Sequence, residues 1–309
     1  MLRVLTYHRV PEPHHSPTLN PRLISATPAA FALQMRYLAR RYAVVSMPEV
    51  FDAVEKGRRL PRRAVLITFD DAYRDFGDTA WPLLQRFRLP VTLFVPTGYP
   101  DQPERAFWSD RLYQAVTCTE HTALRGTPWG ALPLATARQR RASFQRLRSS
   151  LSTMPQVEAV RRVEDICAQL GQQCVTQRSV LTWDELRQLA RQGVTLASHT
   201  RTHVTLTQLS PAQIRAEIHA SQQDLQREIG HTLPVFCYPR GGHNDTVVRI
   251  LSEAGYVLAF TTLDGQNDLR AADLLRLRRT DITRRTSLPI FRLRLTRLGA
   301  YLDRWRHRK

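Results

Sequence analysis

The stretch Ala64-Val65-Leu66-Ile67-Thr68-Phe69-Asp70-Asp71 joins an apolar run to two adjacent carboxylates. A continuous apolar run of this length predicts a buried strand. The two aspartates then stand at the C-terminal end of that strand. In (β/α) barrels and open α/β sheets, functional side chains project from this end of the strands. We therefore expect Asp70 and Asp71 at the functional edge of a parallel sheet.

A second strand end carries two histidines. The apolar run 194–197 predicts a strand, and Ser198-His199-Thr200-Arg201-Thr202-His203 follows it. Two His and one carboxylate with open coordination positions are a usual catalytic ligand set for zinc, and they also suit iron(II). Neighbouring strand-end carboxylates cannot both point the same way, so one of Asp70 and Asp71 can bind the ion while the other stays free. Alone, an Asp pair usually caps a helix and a His pair is a weak signal, but together they favour a metal site.

These two stretches resemble the first two motifs of the NodB-homology polysaccharide deacetylases, a carbohydrate esterase family that removes N-acetyl or O-acetyl groups from sugars. Three further stretches are also similar to the family: 181–186, 236–242 with its Tyr-Pro-Arg-Gly, and 253–261. The resemblance covers about residues 1–100 and 180–283. It implies a distorted (β/α) barrel that uses a divalent metal, with zinc as the expected ion. The implied substrate is an acetylated glycan or a lipid-linked glycan precursor.

The resemblance also implies roles for the residues of these motifs. Carried over position by position, Asp71, His199 and His203 hold the metal, and Asp70 is the general base. A carboxylate in hydrogen-bond reach of the attacking water takes its proton as the water adds to the acetyl carbonyl.

The general acid is expected near the N-terminus. The family usually takes it from a late Leu-x-His motif, which does not occur after residue 262. The chain instead begins with a strand that ends in His8, and this resembles the circularly permuted branch of the family. His8 is therefore the expected acid, because imidazole charge changes near neutral pH. The alternatives are that His8 anchors the first strand, or that His243 is the acid.

Tyr238, Arg240 and Trp108 are expected at the substrate groove or oxyanion hole, and Arg279 is the candidate for the residue that orients the base. Tyr238 and Arg240 lie in the stretch that resembles the third motif, and the Arg240 backbone amide is expected to help form the oxyanion hole. Cys237 stands where the family often has an Arg that orients the base. Arg279 resembles the Arg that permuted members place on a late strand, although an exposed basic edge is the alternative. Trp108 is expected either to line the groove, where sugars stack on aromatic rings, or to pack in a core.

Strand and helix patterns alternate along most of the chain, which predicts a parallel sheet. We expect a catalytic domain at 1–283, interrupted by a helical insertion at about 100–180, and a basic amphipathic tail at 284–309. In the insertion, 135–170 predicts a helix with an apolar stripe that includes Val157. The predicted strands are Leu2–Thr6, Ala43–Ser46, Ala64–Phe69, Pro90–Val95, Val194–Ala197, Pro234–Cys237, Val257–Thr261 and Leu275–Ile282.

Basic residues are concentrated at the C-terminus. The net charge is +18, and residues 284–309 hold eight Arg and one Lys against one Asp. Apolar and aromatic residues alternate with these charges, so the segment is expected either to lie on an anionic membrane surface or to pack as a terminal helix with a solvated basic face. No recognition motif accompanies the charge, so no nucleic acid is expected as a partner.

Two other function classes remain open at this point: a catalytically silent glycan-binding module on the same fold, and a basic membrane or nucleic-acid adaptor. The N-terminus predicts a strand rather than a signal peptide, and the four Cys have no metal or redox spacing. We therefore expect reduced thiols and a cytoplasmic protein, peripheral on the inner face of the membrane if 284–309 binds there.

Overall fold

The computed structural model describes residues 1–12, 19–171 and 178–296. These residues belong to two compact units. The first comprises Met1–Glu12, Ile24–Pro103 and the described residues from Val180 onward. The second comprises Glu104–Ser179 with the described part of 13–23. The second unit begins and ends within a few residues of the insertion expected at about 100–180.

The described elements alternate between strands and helices along most of the chain. The strands are β1 (Leu2–Tyr7), β2 (Ala43–Val44), β3 (Ala64–Phe69), β4 (Thr92–Val95), β5 (Ala123–Leu124), β6 (Leu132–Pro133), β7 (Thr195–Ser198), β8 (Val235–Cys237), β9 (Leu258–Phe260) and β10 (Thr280–Asp281). The helices are α1 (Pro28–Arg41), α2 (Met47–Glu55), α3 (Trp81–Arg86), α4 (Trp108–Cys118), α5 (Ala137–Ser152), α6 (Gln156–Gln169), α7 (Trp183–Arg191), α8 (Pro211–Ile229), α9 (Asp245–Glu253) and α10 (Leu288–Arg294).

The first unit is built on one parallel sheet. Its strand order is β10-β1-β3-β4-β7-β8-β9, with β2 paired to β3. The two ends of this strand order are connected by the segment 277–280. Leu277 forms a parallel bridge with Phe260 of β9, and Thr280 pairs with Leu5 of β1. The sheet is therefore curled, with helices packed on its outside. The predicted distorted (β/α) barrel is confirmed.

Successive residues of β1 point to opposite sides of the curled sheet. Leu2 and Val4 pack in an interior core with residues from β3, β4, β7, β8 and β9. Leu5 and Tyr7 pack in the outer core, which includes Phe31 of α1. This alternation is the period of two that extended backbone imposes. It also fixes which residues beyond each strand end face the barrel mouth.

Local sequence signals set the beginnings of several helices. Capping boxes begin α2 at Ser46, α7 at Thr182 and α8 at Ser210, each with Glu or Gln three residues later. In this arrangement the cap and its partner satisfy two backbone N–H groups that the helix itself leaves unpaired. The sequence analysis does not predict α2, because it places Ser46 at the end of a strand. In the structure that strand ends at Val44, and Ser46 with Glu49 begins the helix instead.

The second unit has a core of its own, formed by α4, α5, α6 and the β5–β6 hairpin. The single helix predicted for 135–170 is wrong, since α5 and α6 are separate helices and Pro155 caps the second. The break changes the helical phase, and Val157 from the predicted apolar stripe is 85% exposed. Trp108 is buried in this core, in agreement with the packed alternative.

The described part of the C-terminal segment packs on the first unit as α10, in agreement with the alternative of a packed terminal helix. Phe291 and Leu295, one helical turn apart, are buried in the outer core. The hydroxyl of Tyr42 donates to the carbonyl of Leu295, and Arg3 donates to the carbonyl of Thr296. The rest of the expected tail, 297–309, lies outside the described residues. In the described part of the chain, no helix has the length and hydropathy required to cross a bilayer.

Candidate active site

Side chains from four strand ends, together with Arg279 just before β10, meet at the C-terminal mouth of the barrel. Every second residue of a strand faces the interior of the barrel. His8 and Asp70 follow the interior residues Val4 and Leu66 by four positions. His199 and Arg279 follow the interior residues Ala197 and Leu277 by two positions. Because all of the strands are parallel, these groups lie at the same edge of the sheet. The residues that this alternation brings to the mouth are His8, Asp70, His199, Cys237 and Arg279.

Asp71 reaches the site by a different route. It directly follows the inward-facing Asp70, so continued extended backbone would turn it away from the mouth. Instead its φ is 74°, a left-handed conformation that is uncommon for residues with a side chain. Thr200 and His203 in the histidine loop also have positive φ, at 62° and 57°. Such conformations cluster where a structure holds functional groups in place against backbone preference.

Asp71, His199 and His203 form a compact cluster of metal-ligand atoms. Nε2 of His199 lies 3.4 Å from Oδ1 of Asp71, and Nε2 of His203 lies 3.0 Å from the same oxygen. Oδ1 is buried, yet it accepts no hydrogen bond from any described residue. A buried carboxylate oxygen without a donor is costly unless a cation binds it. Two imidazole nitrogens and one carboxylate oxygen are donors that Zn²⁺ accepts, so the cluster fits a divalent metal.

The ring of His199 is held in one orientation. Its Nδ1 lies 2.8 Å from the backbone carbonyl of Cys237. A carbonyl oxygen only accepts, so we infer that Nδ1 carries the hydrogen and donates to it. The lone pair of Nε2 is then directed toward Asp71. A backbone or carboxylate acceptor on the second nitrogen is the usual way in which proteins orient a metal-binding His.

Asp70 is paired with Arg279 rather than with the histidines. Nη1 of Arg279 donates to Oδ1 at 2.8 Å, and Nη2 donates to Oδ2 at 2.7 Å, with both side chains almost fully buried. Burial raises the pKa of Asp70, but the Arg279 guanidinium outweighs this effect and holds the pKa below its ordinary value. Asp70 is therefore ionised and fixed in direction, as a general base must be.

Cys237 completes the surroundings of Asp70. Its Sγ lies 3.6 Å from Oδ2 of Asp70. Asp70, His199 and Cys237 are also close enough together to hold a metal. However, burial raises the pKa of the Cys237 thiol and Arg279 already occupies both oxygens of Asp70, so this set is the poorer of the two. The position where the family often has Arg is taken by this thiol, and the guanidinium comes from Arg279 instead.

His8 lies just beyond β1 and is half-buried at the mouth. Tyr7 pairs with Phe69, and the amide of Asp70 donates to the carbonyl of Tyr7 at 3.0 Å, so His8 is level with Asp70 at the end of the two paired strands. On the other side of β1, Thr6 pairs with Asp281 of β10.

The two third-motif residues differ in their burial. Tyr238 is fully buried, its hydroxyl donates to the carbonyl of Leu275, and its amide donates to the carbonyl of Phe260. The side chain of Tyr238 is thus packed in a core rather than open to the mouth, and its expected place at the substrate groove stays a prediction. Arg240 is exposed in the turn that follows, with φ at 56°. The role of its amide in an oxyanion hole stays a prediction.

His243, the second candidate for the acid, stacks on the ring of Tyr238 with centroids 5.3 Å apart. Its Nδ1 lies 2.7 Å from the carbonyl of Gly241. Gly241 has a φ of 70°, and a Cβ at this position would meet Oγ1 of Thr262 at 2.1 Å, so the turn requires glycine. The turn and its two contacts thus account for His243 without a role in proton transfer.

Sequence reasoning missed the polar side chains of α8 that hold the histidine loop. Oε2 of Glu217 accepts from the amides of Arg201 and Thr202, both at 3.0 Å, and Oε1 accepts from the Thr202 hydroxyl at 2.8 Å. Ser221 shares a hydrogen bond of 2.7 Å with Ser198. Asp224 accepts from Arg201 at 3.1 Å and from Thr97 at 2.9 Å. The spacing of four and three residues puts all three on one face of α8.

Comparisons with known proteins agree with this fold. The sequence model of the polysaccharide deacetylase family matches residues 57–259. The poly-beta-1,6-N-acetyl-D-glucosamine N-deacetylase of Escherichia coli (strain K12) is 35% identical over 78 residues, or 25% of this chain and 12% of that enzyme. The putative polysaccharide deacetylase YxkH of Bacillus subtilis (strain 168) is 27% identical over 85 residues, or 28% of this chain and 30% of that protein. This chain thus aligns with less than a third of either relative.

Similarity to solved structures extends over nearly the whole chain. The Streptococcus pyogenes deacetylase PplD in complex with acetate has a TM-score of 0.64 at 21% identity, with 96% of this chain and 98% of that chain covered. The putative polysaccharide deacetylase BA0330 from Bacillus anthracis has a TM-score of 0.63 at 17% identity, with 96% and 69% covered. At such identities the likeness concerns the fold. The family match spans more than half of the chain, from before β3 into β9, and on this ground the chain belongs to the polysaccharide deacetylase family.

Proposed function

We propose that this chain is a metal-dependent hydrolase that removes N-acetyl groups from a glycan. The observation that carries the proposal is the division of labour between adjacent carboxylates: Asp71 faces His199 and His203, while Asp70 is held by Arg279. Hydrolysis of an acetamide requires such a separated base beside an electrophilic centre. A glycan-binding module without activity would not require an oriented, ionised base.

Asp71, His199 and His203 are the residues that would hold the metal, and Zn²⁺ is the ion their donor atoms favour. When bound, the ion supplies Lewis acidity that polarises an acyl carbonyl and makes water more acidic. Burial raises the pKa of Asp71, but the nearby histidines hold it well below the ordinary value, so the carboxylate is ionised for this role.

Asp70 and His8 divide the proton transfers. Asp70 accepts the proton of the water that attacks the acetyl carbonyl, and Arg279 keeps its oxygens aimed and keeps the carboxylate ionised until it takes that proton. His8 gives a proton to the leaving nitrogen, because an amine leaves poorly as an anion. Its half-buried position, level with Asp70 at the end of the paired strands β1 and β3, supports this assignment.

The printed names of the relatives support a proposal for the substrate class. The name of the Escherichia coli enzyme specifies a polymer of β-1,6-linked N-acetyl-D-glucosamine. We propose that this chain also acts on N-acetylglucosamine units, in a polymer or in a lipid-linked precursor, with O-acetyl sugars as the alternative.

Acetate release from a panel of acetylated glycans tests the proposed function. The panel contains N-acetylglucosamine oligomers of different linkage and O-acetylated sugars as comparison substrates. We expect release from an N-acetylated member and its loss in Asp70→Asn, since the amide cannot take the proton of water. Release that is confined to O-acetyl substrates would correct the substrate class, and no release from any member would refute the proposal.

A further inference from the structure

A cavity lined with arginines lies between α1 and α10, on the outside of the first unit. Its volume is about 420 Å³. Arg63, one of its lining residues, directly precedes β3, whereas Asp70 directly follows that strand. At about 3.3 Å per residue, the two ends of the strand are on the order of 20 Å apart. The cavity is therefore distinct from the candidate active site. Its lining residues are Leu33, Arg36, Tyr37, Arg40, Arg41, Arg63, Leu288 and Arg292.

The charge of this cavity is uncompensated. It has five guanidinium groups and no carboxylate in its lining, and none of the five forms an ion pair with a described residue. Arg292 instead lies over the ring of Tyr37, 5.0 Å from its centroid. Arg40, Arg41 and Arg292 lie in the last turns of their helices, where cations are favoured by the helix dipole. That effect does not account for Arg36 or for Arg63, which is outside any helix.

Exposed apolar side chains lie on the same two helices, and one of them, Leu33, also lines the cavity. Six large hydrophobic residues of the described chain are exposed, and half of them are on these two helices. Leu33 of α1 is 41% exposed, and Ile290 and Leu293 of α10 are 44% and 43% exposed. On α10, Leu293 points away from the buried Phe291, and Ile290, three residues before Leu293, is its neighbour on the solvent side of the helix. Aliphatic groups beside arginines are the composition of a surface that lies at a membrane interface.

We propose that the face formed by α1, Arg63 and α10 docks on an anionic phospholipid bilayer. The arginines bind headgroup phosphates, for which the planar guanidinium provides paired donors. Leu33, Ile290 and Leu293 enter the boundary between headgroups and acyl chains. Nucleic acid offers phosphates too, but it provides no apolar phase for three exposed aliphatic side chains. The docking surface is separate from the proposed deacetylase activity, and each can be tested without the other.

Co-sedimentation of the full chain with vesicles tests the docking surface. Vesicles of phosphatidylcholine with phosphatidylglycerol are compared with vesicles of phosphatidylcholine alone. Each nearby arginine contributes about 1 kcal/mol at an anionic surface, so Arg40→Gln with Arg292→Gln is expected to weaken binding about 30-fold. The matched control is Arg141→Gln with Arg146→Gln, which removes the same charge from the exposed face of α5. The control is expected to retain most of the affinity.

The outcomes separate this site from the general charge of the protein. Equal losses in the two double variants would mean that net charge alone drives binding, and the proposal would be wrong. Ile290→Ser with Leu293→Ser should also weaken vesicle binding and make the remainder more sensitive to salt, because the apolar contribution is removed. Arg40→Gln with Arg292→Gln could instead weaken binding of inorganic phosphate or duplex DNA and leave vesicle binding unchanged. That result would contradict the proposal that this face docks on a lipid bilayer.

Discussion

Arg279, which directly precedes β10, donates to both carboxylate oxygens of Asp70, at 2.8 and 2.7 Å. This contact separates two neighbouring carboxylates that have the same chemistry in the sequence. Asp70 is committed to a guanidinium and kept ionised, while Asp71 is left with the two histidines. The functional assignment depends on this difference.

Replacement of Arg279 should disable the base without removing the ligand cluster. Arg279→Lys keeps the charge but loses the paired geometry, so we expect turnover to fall by about 10²–10⁴ while metal content is unchanged. Arg279→Met leaves Asp70 buried and unpaired, which should lower the free energy of unfolding by about 3–5 kcal/mol. Steady-state kinetics, metal analysis and denaturant unfolding measure the three quantities. Full turnover in Arg279→Lys would contradict the role of the contact.

Removal of any one ligand should lower metal occupancy. Asp71→Ala, His199→Ala and His203→Ala each leave two protein ligands, too few to hold Zn²⁺ firmly. Metal content after dialysis is the measurement, and His243→Ala is the control because His243 packs on Tyr238 instead. The cluster is not the metal site if all three variants keep a full complement of metal.

His8→Ala separates proton donation from folding. Loss of the acid should reduce turnover of an N-acetyl substrate by about 10²–10⁴. An activated phenyl acetate should be affected much less, because a phenolate leaves without a proton. The ratio of the two rates is the measurement, at equal metal content. Equal losses on both substrates would assign His8 to structure or positioning and reopen the case for His243.

Glu217 should act through the histidine loop rather than on substrate. Glu217→Ala removes three hydrogen bonds to Arg201 and Thr202, between the two metal-binding histidines. Loss of such supporting contacts typically costs about 10–100-fold in metal affinity, and saturating metal should restore turnover. Titration of the metal-free protein measures the affinity. His219→Ala, on the exposed part of the same helix, is the control, and unchanged affinity in Glu217→Ala would show that the loop is held by other contacts.

The barrel and the metal-ligand cluster could be predicted because both depend on local patterns. Apolar runs followed by Asp70 or His199 indicate strands with polar ends, and parallel pairing then brings those ends together. The side chain of Tyr238 could not be placed in this way, because its burial depends on Leu275 and His243, which pack on it from elsewhere in the chain.

The supporting contacts of α8 were also beyond the sequence, and the sequence left open whether the segment that forms α10 packs on the barrel or lies on a membrane. A polar stripe such as Glu217, Ser221 and Asp224 usually marks the solvent face of a helix, and only the tertiary structure shows that it faces the histidine loop. In the basic C-terminal segment, Phe291 and Leu295 are spaced one turn apart, but the charges around them obscure this short apolar face.

The most direct test of the proposed chemistry measures acetate release and metal content on the same preparations of wild type and Asp70→Asn. The substrate is an N-acetylglucosamine oligomer that the wild type cleaves, and both proteins are assayed before and after metal removal. We expect equal metal content, release by the wild type that stops on chelation and returns with Zn²⁺, and a loss of about 10²–10⁴ in Asp70→Asn. Near-normal release by Asp70→Asn, or release unaffected by complete metal removal, would contradict the account.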